Sequence, residues 1–127
     1  GDPAAIPAKV WRTATRKVRN RTGYTHQWRK RIGAGLKGLC MASADNPADV
    51  VDAMAKGWRT FRVRKHDAPK LKDESICPAS KEGGQRTQCD TCGLCQGATI
   101  AARNIVIADH GLMDSRRRIP TTPAAVL

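Results

Sequence analysis

"LCMASADNPADVVDAMAKGWRTFRVRK", residues 39–65, decides the fold. Its opening "LCMASA" is a short, nearly continuous apolar run, as expected of a strand buried on both faces. A helix unit follows: Asp45 or Asn46 caps it, Pro47 starts it, Val50, Val51 and Met54 supply its inward face, and Gly57 stops it. "WRTFRVRK" then alternates, with Phe61 and Val63 separated by Arg62, which predicts another strand. Short apolar strands joined by capped helices point to an α/β layer with a largely parallel sheet.

Toward the N-terminus, "YTHQW" (24–28) reads as a strand with Tyr24, His26 and Trp28 on one side. "RKRIGAGLKG" (29–38) reads as a basic, Gly-rich loop. "DPAAIPAKVWRTATRKV" (2–18) reads as a helix, with Asp2 as its cap and Pro3 in its first turn. Ile6, Val10, Trp11, Ala14 and Val18 give it an apolar face, and Arg12, Arg16, Lys17 and Arg19 lie opposite. No strand precedes this helix, and residue 1 is Gly, so the expectation is a processed chain or a piece of a longer fold. The alternative is a complete small α+β domain.

Toward the C-terminus, "HDAPKLKDES" (66–75) is a polar connector, and Ile105, Val106 and Ile107 predict a last buried strand. The reading is thus one domain over 1–111, a partial (β/α) layer or incomplete barrel with a metal-binding loop at 77–97, followed by a flexible basic tail over 112–127.

That loop carries the strongest chemical signal. Four of the five cysteines, Cys77, Cys89, Cys92 and Cys95, fall within 19 residues as C-x11-C-x2-C-x2-C. Two overlapping CxxC turns aim three sulfurs at one point, and Gly83, Gly84, Gly93 and Gly97 let the backbone fold around it. In a chain that reads as cytosolic, such a cluster points to metal ligation rather than disulfides. Two metals compete. Zn²⁺ takes four thiolates, and "CDTCG" has the form of a zinc knuckle. The x2 spacings and the Cys77–Pro78 pair also resemble [4Fe–4S] ligation. Zinc is favoured, because a hydrophilic loop offers little apolar cover for an oxygen-sensitive cluster. Cys40 stands apart and reads as a small core residue.

Composition narrows the partners. Lys and Arg number 23 against 11 Asp and Glu, a net +12, and a Zn²⁺ held by four thiolates would leave +10. Such an excess fits a polyanion, with nucleic acid as the expected partner and Arg12, Arg16, Arg19, Arg29, Lys30 and Arg31 as its contacts, joined by Arg116, Arg117 and Arg118 of the tail. The plain alternative is a solvated basic surface. No apolar run approaches the roughly 20 residues needed to span a bilayer. No secretory leader pattern is present, so the expected location is the cytoplasm. His26, Ser43, Asp45 and His110 fall at predicted strand ends, where α/β sheets build sites; their plain alternative is capping and hydrogen bonding. No Walker loop, dinucleotide fingerprint or nucleophile–base pair is present.

"GDPAAIP", "TGYTHQW", "MASADN", "GWRTFRV", "CPASKEGG", "TQCDTCGLCQG" and "IVIADHG" resemble the C-terminal part of a family of uncharacterised proteins encoded by bacteriophages and other mobile elements. The resemblance covers most of residues 1–111 and is most specific at Cys77–Cys95. It implies a partial barrel of radical-SAM-like appearance and a host-cytoplasmic setting. Longer members carry a further N-terminal cysteine motif that this chain lacks. If that motif holds a catalytic cluster, this chain alone is no complete enzyme. Three functions follow as expectations: a metal-binding basic accessory protein that binds nucleic acid; the C-terminal part of an iron–sulfur or radical-type enzyme with an auxiliary cluster at Cys77–Cys95; or a protein-interaction module closed by zinc.

Overall fold

Asn46 Oδ1 accepts a hydrogen bond from the Asp49 amide at 2.8 Å, and the Asp49 carboxylate accepts one from the Asp45 amide at 3.0 Å. This reciprocal cap starts α2 (Pro47–Ala55) where the sequence places it, with Asn46 rather than Asp45 as the cap. Gly57, at φ +82°, ends the unit in the left-handed conformation that favours glycine. In this computed structural model, which describes residues 1–109, α2 joins β2 (Met41–Ala44) to β3 (Thr60–Lys65). With β1 (Tyr24–Thr25), β4 (Glu74–Ile76) and β5 (Asn104–Asp109) these strands form one five-stranded sheet in the order β1-β2-β3-β5-β4. Every pairing is parallel and the sheet is open, so the chain is α/β.

The strand order determines which face each connection covers. From β1 through β3 the chain steps one way across the sheet; from β4 to β5 it steps back. Right-handed crossovers therefore put these connections on opposite faces. Side chains follow. Trp28, Leu36, Leu39, Cys40, Ala42, Ala53 and Trp58 form a core on the helical face. Met41, Cys95 and Ile105, backed by Tyr24, Phe61, Cys77 and Leu94, form the core on the other. The β4–β5 crossover has only a single turn of α-helix, α3 (Cys89–Cys92), and a 3₁₀ turn at Gly97–Thr99, so a cysteine loop covers the sheet where a longer helix would otherwise lie.

Several local expectations change. The first helix is a 3₁₀ turn at Pro3–Ala5 followed by α1 (Ala8–Thr15), whose cap is Pro7. Ile6 and Val18 therefore lie outside α1, and with Val10 they stay 40–47% exposed; Trp11 and Ala8 pack inward instead. β1 stops at Thr25, because the Asp2 carboxylate takes the Thr25 hydroxyl at 2.7 Å and the His26 amide at 2.8 Å. Tyr24 and Trp28 consequently lie on opposite faces of the sheet. The basic loop contains a 3₁₀ helix at Arg31–Leu36. In α2 only Val50 and Ala53 are buried, while Val51 and Met54 face outward.

The polar connector hides β4, whose Glu74 is fully buried. In β3 the alternation runs opposite to its apolar pattern: Arg62 and Arg64 are buried and Val63 is exposed. Arg62 is buried because it pairs with Glu74, and Arg64 because it bonds the Ala68 carbonyl at 2.6 Å and the Glu82 carboxylate. No helix among the described residues is long and apolar enough to cross a membrane. His110, the tail over 112–127 and Arg116–Arg118 lie outside the described residues.

Candidate metal centre and basic face

Cys77 directly follows β4, and its carbonyl accepts the Ser80 amide at 3.0 Å and the Ser80 hydroxyl at 2.6 Å, closing a turn. Ser80 Oγ in turn accepts from the Gly83 amide at 3.0 Å. Gly83 packs so tightly that a Cβ there would fall 2.1 Å from the Cys77 carbonyl oxygen. The other three cysteines come from α3 and the turn after it. Asn20, far away in sequence, holds that turn: its Nδ2 donates to the Asp90 carbonyl at 3.1 Å, and its Oδ1 accepts from Gln96 Nε2 at 3.2 Å.

Cys77, Cys89, Cys92 and Cys95 line one cavity of about 10 Å³, walled by Tyr24, Pro78, Leu94 and Ile105. Cys95 is buried, Cys77 and Cys92 are half-buried and Cys89 is exposed; all are free thiols. The fifth cysteine, Cys40, is fully buried in the core of the other face, where burial pushes its thiol up to about 12. Burial likewise pushes Cys95 up to about 12, against hydrogen bonding to Tyr24 and with the neighbouring cysteines adding to the rise. Burial also raises Cys89 and the Tyr24 hydroxyl, again reinforced by the surrounding cysteines. Each of these groups is therefore held in its protonated form, and an ion that displaces the protons would reverse that balance.

As they stand, the sulfurs are not a finished ligand set: no group of three or more His, Cys, Asp or Glu side chains among the described residues is arranged to hold a metal ion. A cavity of this size takes an object about as large as one water molecule. The argument for zinc from missing apolar cover does not survive, since the sheet face supplies that cover through Tyr24, Phe61 and Ile105.

The expected strand-end site comes together only in part. His26 Nε2 lies 3.8 Å from Asp45 Oδ1, both largely in solvent. Ser43 contributes its carbonyl to Trp28 Nε1 at 2.8 Å, and no hydrogen bond among the described residues links its hydroxyl to His26 or Asp45. The cysteine cavity lies on the face of the sheet instead, under a crossover.

The basic side chains divide as well. Residues 3–44 contain ten Lys and Arg and no Asp or Glu. Within this stretch Arg29 is already paired: Nη2 bonds Asp49 at 2.6 Å and Nε bonds Asp52 at 2.8 Å while the group lies 3.9 Å over the Trp28 ring. The two carboxylates raise the pKa of Arg29; Arg29 lowers that of Asp49, and Lys56 together with Arg29 lowers that of Asp52. Arg12 donates to the Gly35 carbonyl at 2.9 Å, which brings α1 against the Arg31–Leu36 turn. Arg16, Arg19, Lys30 and Arg31 are exposed and have no ion-pair partner among the described residues, and Lys9 and Lys17 are placed alike.

Sequence reasoning missed Arg59. This buried side chain bonds four backbone carbonyls: Leu94 at 2.7 Å, Gly97 at 3.0 Å, Ala102 at 2.9 Å and Arg103 at 2.5 Å. Burial lowers its pKa, with Cys95 acting against that. No family model, no curated protein and no solved structure matches the chain.

Proposed function

We propose that the protein is a basic nucleic-acid-binding accessory protein whose cysteine crossover is closed by Zn²⁺. The charge distribution carries the reading. Ten cations and no carboxylate occupy residues 3–44, and Lys9, Arg16, Lys17, Arg19, Lys30 and Arg31 face solvent with no ion-pair partner among the described residues. Counterion release makes such a surface bind phosphate backbones without reading bases. The zinc part is supported by four cysteines lining one small cavity. A phage or mobile-element setting is supported by the resemblance of the quoted motifs alone.

An auxiliary [4Fe–4S] cluster in a piece of a radical-type enzyme is favoured by one observation, the apolar cover over the cysteines. Visible absorbance of anaerobically purified protein separates it from zinc. The test of the main reading is affinity for single- and double-stranded oligonucleotides across a salt series. Binding that weakens steeply with salt and depends little on sequence supports it. No binding at low salt removes it and leaves a protein-interaction module or an enzyme piece.

A further inference from the structure

We propose that Arg59 is the positioning residue of the cysteine site, holding Cys95 where the other three thiols can share an ion with it. The inference rests on the metal reading above and deepens it.

Arg59 immediately precedes β3, and its own carbonyl accepts from the Ala42 amide at 2.9 Å, so its backbone is fixed to the sheet. From there Nη1 reaches the carbonyls on both sides of Cys95, those of Leu94 and Gly97. Nε and Nη2 reach Ala102 and Arg103, just before β5. One planar group thus ties the loop carrying Cys95 to the strand that follows it. The turn after Cys95 has no slack: Gly97 sits at φ +83°, and a Cβ there would lie 2.6 Å from the Lys37 carbonyl oxygen. A lysine ammonium is a point donor on a flexible stem and cannot span four acceptors in fork geometry.

Charge supplies a second argument. All four hydrogen-bond acceptors of Arg59 are neutral carbonyls, and no carboxylate among the described residues pairs with it. A buried cation without a counter-ion is costly. Four thiolates around a dication carry a net charge of −2, and that is the partner this guanidinium lacks.

The test is Co²⁺ titration of the full chain, following thiolate-to-metal charge-transfer absorbance, whose intensity reports the number of coordinated sulfurs. Wild type is compared with Arg59→Lys, Cys95→Ser and Val50→Ala, the last a destabilising change at a buried residue of α2, away from the site. The expected result is that Arg59→Lys binds about 10- to 100-fold more weakly and that its intensity per Co²⁺ falls to that of Cys95→Ser, while Val50→Ala keeps the four-sulfur spectrum. If Arg59→Lys is unfolded without metal, its spectrum is read at saturating Co²⁺, where binding drives folding. A four-sulfur spectrum with wild-type affinity in Arg59→Lys overturns the inference, as does an equal loss in Val50→Ala. Failure of wild type to take up Co²⁺ overturns the metal reading itself and this inference with it, a result distinct from the other two.

Discussion

Arg62 and Glu74 are joined by two hydrogen bonds, Nε to Oε1 at 2.6 Å and Nη2 to Oε2 at 2.8 Å, although β5 lies between their strands. Both side chains are almost wholly buried. The Leu71 amide also donates to Glu74 at 2.9 Å, and the Pro69 carbonyl accepts from Arg62 at 3.3 Å. The pair fastens the edge strand β4, and with it Cys77, to the middle of the sheet.

Removing one partner strands the other charge. Glu74→Gln is expected to destabilise the fold by about 3–5 kcal/mol, read as a large drop in the denaturant midpoint with little change in slope. A loss below about 1 kcal/mol, the size of an exposed pair, would show that the pair is not buried in solution.

The same carboxylate gives a pH dependence. Burial acts to raise the Glu74 pKa, and Arg62, the Leu71 amide and Arg64 together outweigh it, so it lies below its ordinary value. Asp2 is similar: burial raises it, while Ala4, Thr25 and His26 outweigh that and hold it low. Because the folded pKa is depressed, both groups contribute stability above the unfolded value, and that contribution is lost as pH falls through the folded value. Stability is expected to decline once pH drops past about 4. Asp2→Ala should remove part of that decline, and an unchanged acid limb in this variant would count against the assignment.

The β2–α2–β3 unit was legible in the sequence because its signals are local: Asn46, Pro47 and Gly57 act within a residue or two of where they stand. The spacing of the four cysteines led to an expected ligand set; among the described residues they line one cavity but are not arranged to hold an ion. β4 was not, since its burial depends on Glu74 finding Arg62 on a strand that is not its neighbour. Arg59 was not, because in an alternating stretch it reads as an exposed cation, and its four acceptors are 35–44 residues away. The inward faces of α1 and α2 were misread where periodicity was extended beyond the packed residues, as at Ile6, Val18 and Val51.

The divided basic face separates two kinds of arginine. Lys30→Ala and Arg31→Ala should each lower the salt slope of nucleic-acid binding by about one unit per lost phosphate contact. Arg29→Ala should leave the slope unchanged, because its guanidinium is already held by Asp49 and Asp52. Equal losses in all three would mean that the acidic pairing of Arg29 gives way to phosphate.

Metal at the cysteines should order the crossover more than the rest of the chain. Chelation is expected to open residues 78–94 to protease first, with α2 protected. A digestion pattern indifferent to chelator would show that the hydrogen bonds of Asn20, Ser80 and Arg59 hold the loop by themselves.

Elemental analysis of the anaerobically purified chain, wild type against Cys92→Ser and Cys40→Ser, tests the cysteine site most directly. Cys92 lines the shared cavity and Cys40 lies in the core of the opposite face. One zinc per chain in wild type and in Cys40→Ser, with loss in Cys92→Ser, is the expected result. Equal metal content in all three proteins, or none in any, would contradict it.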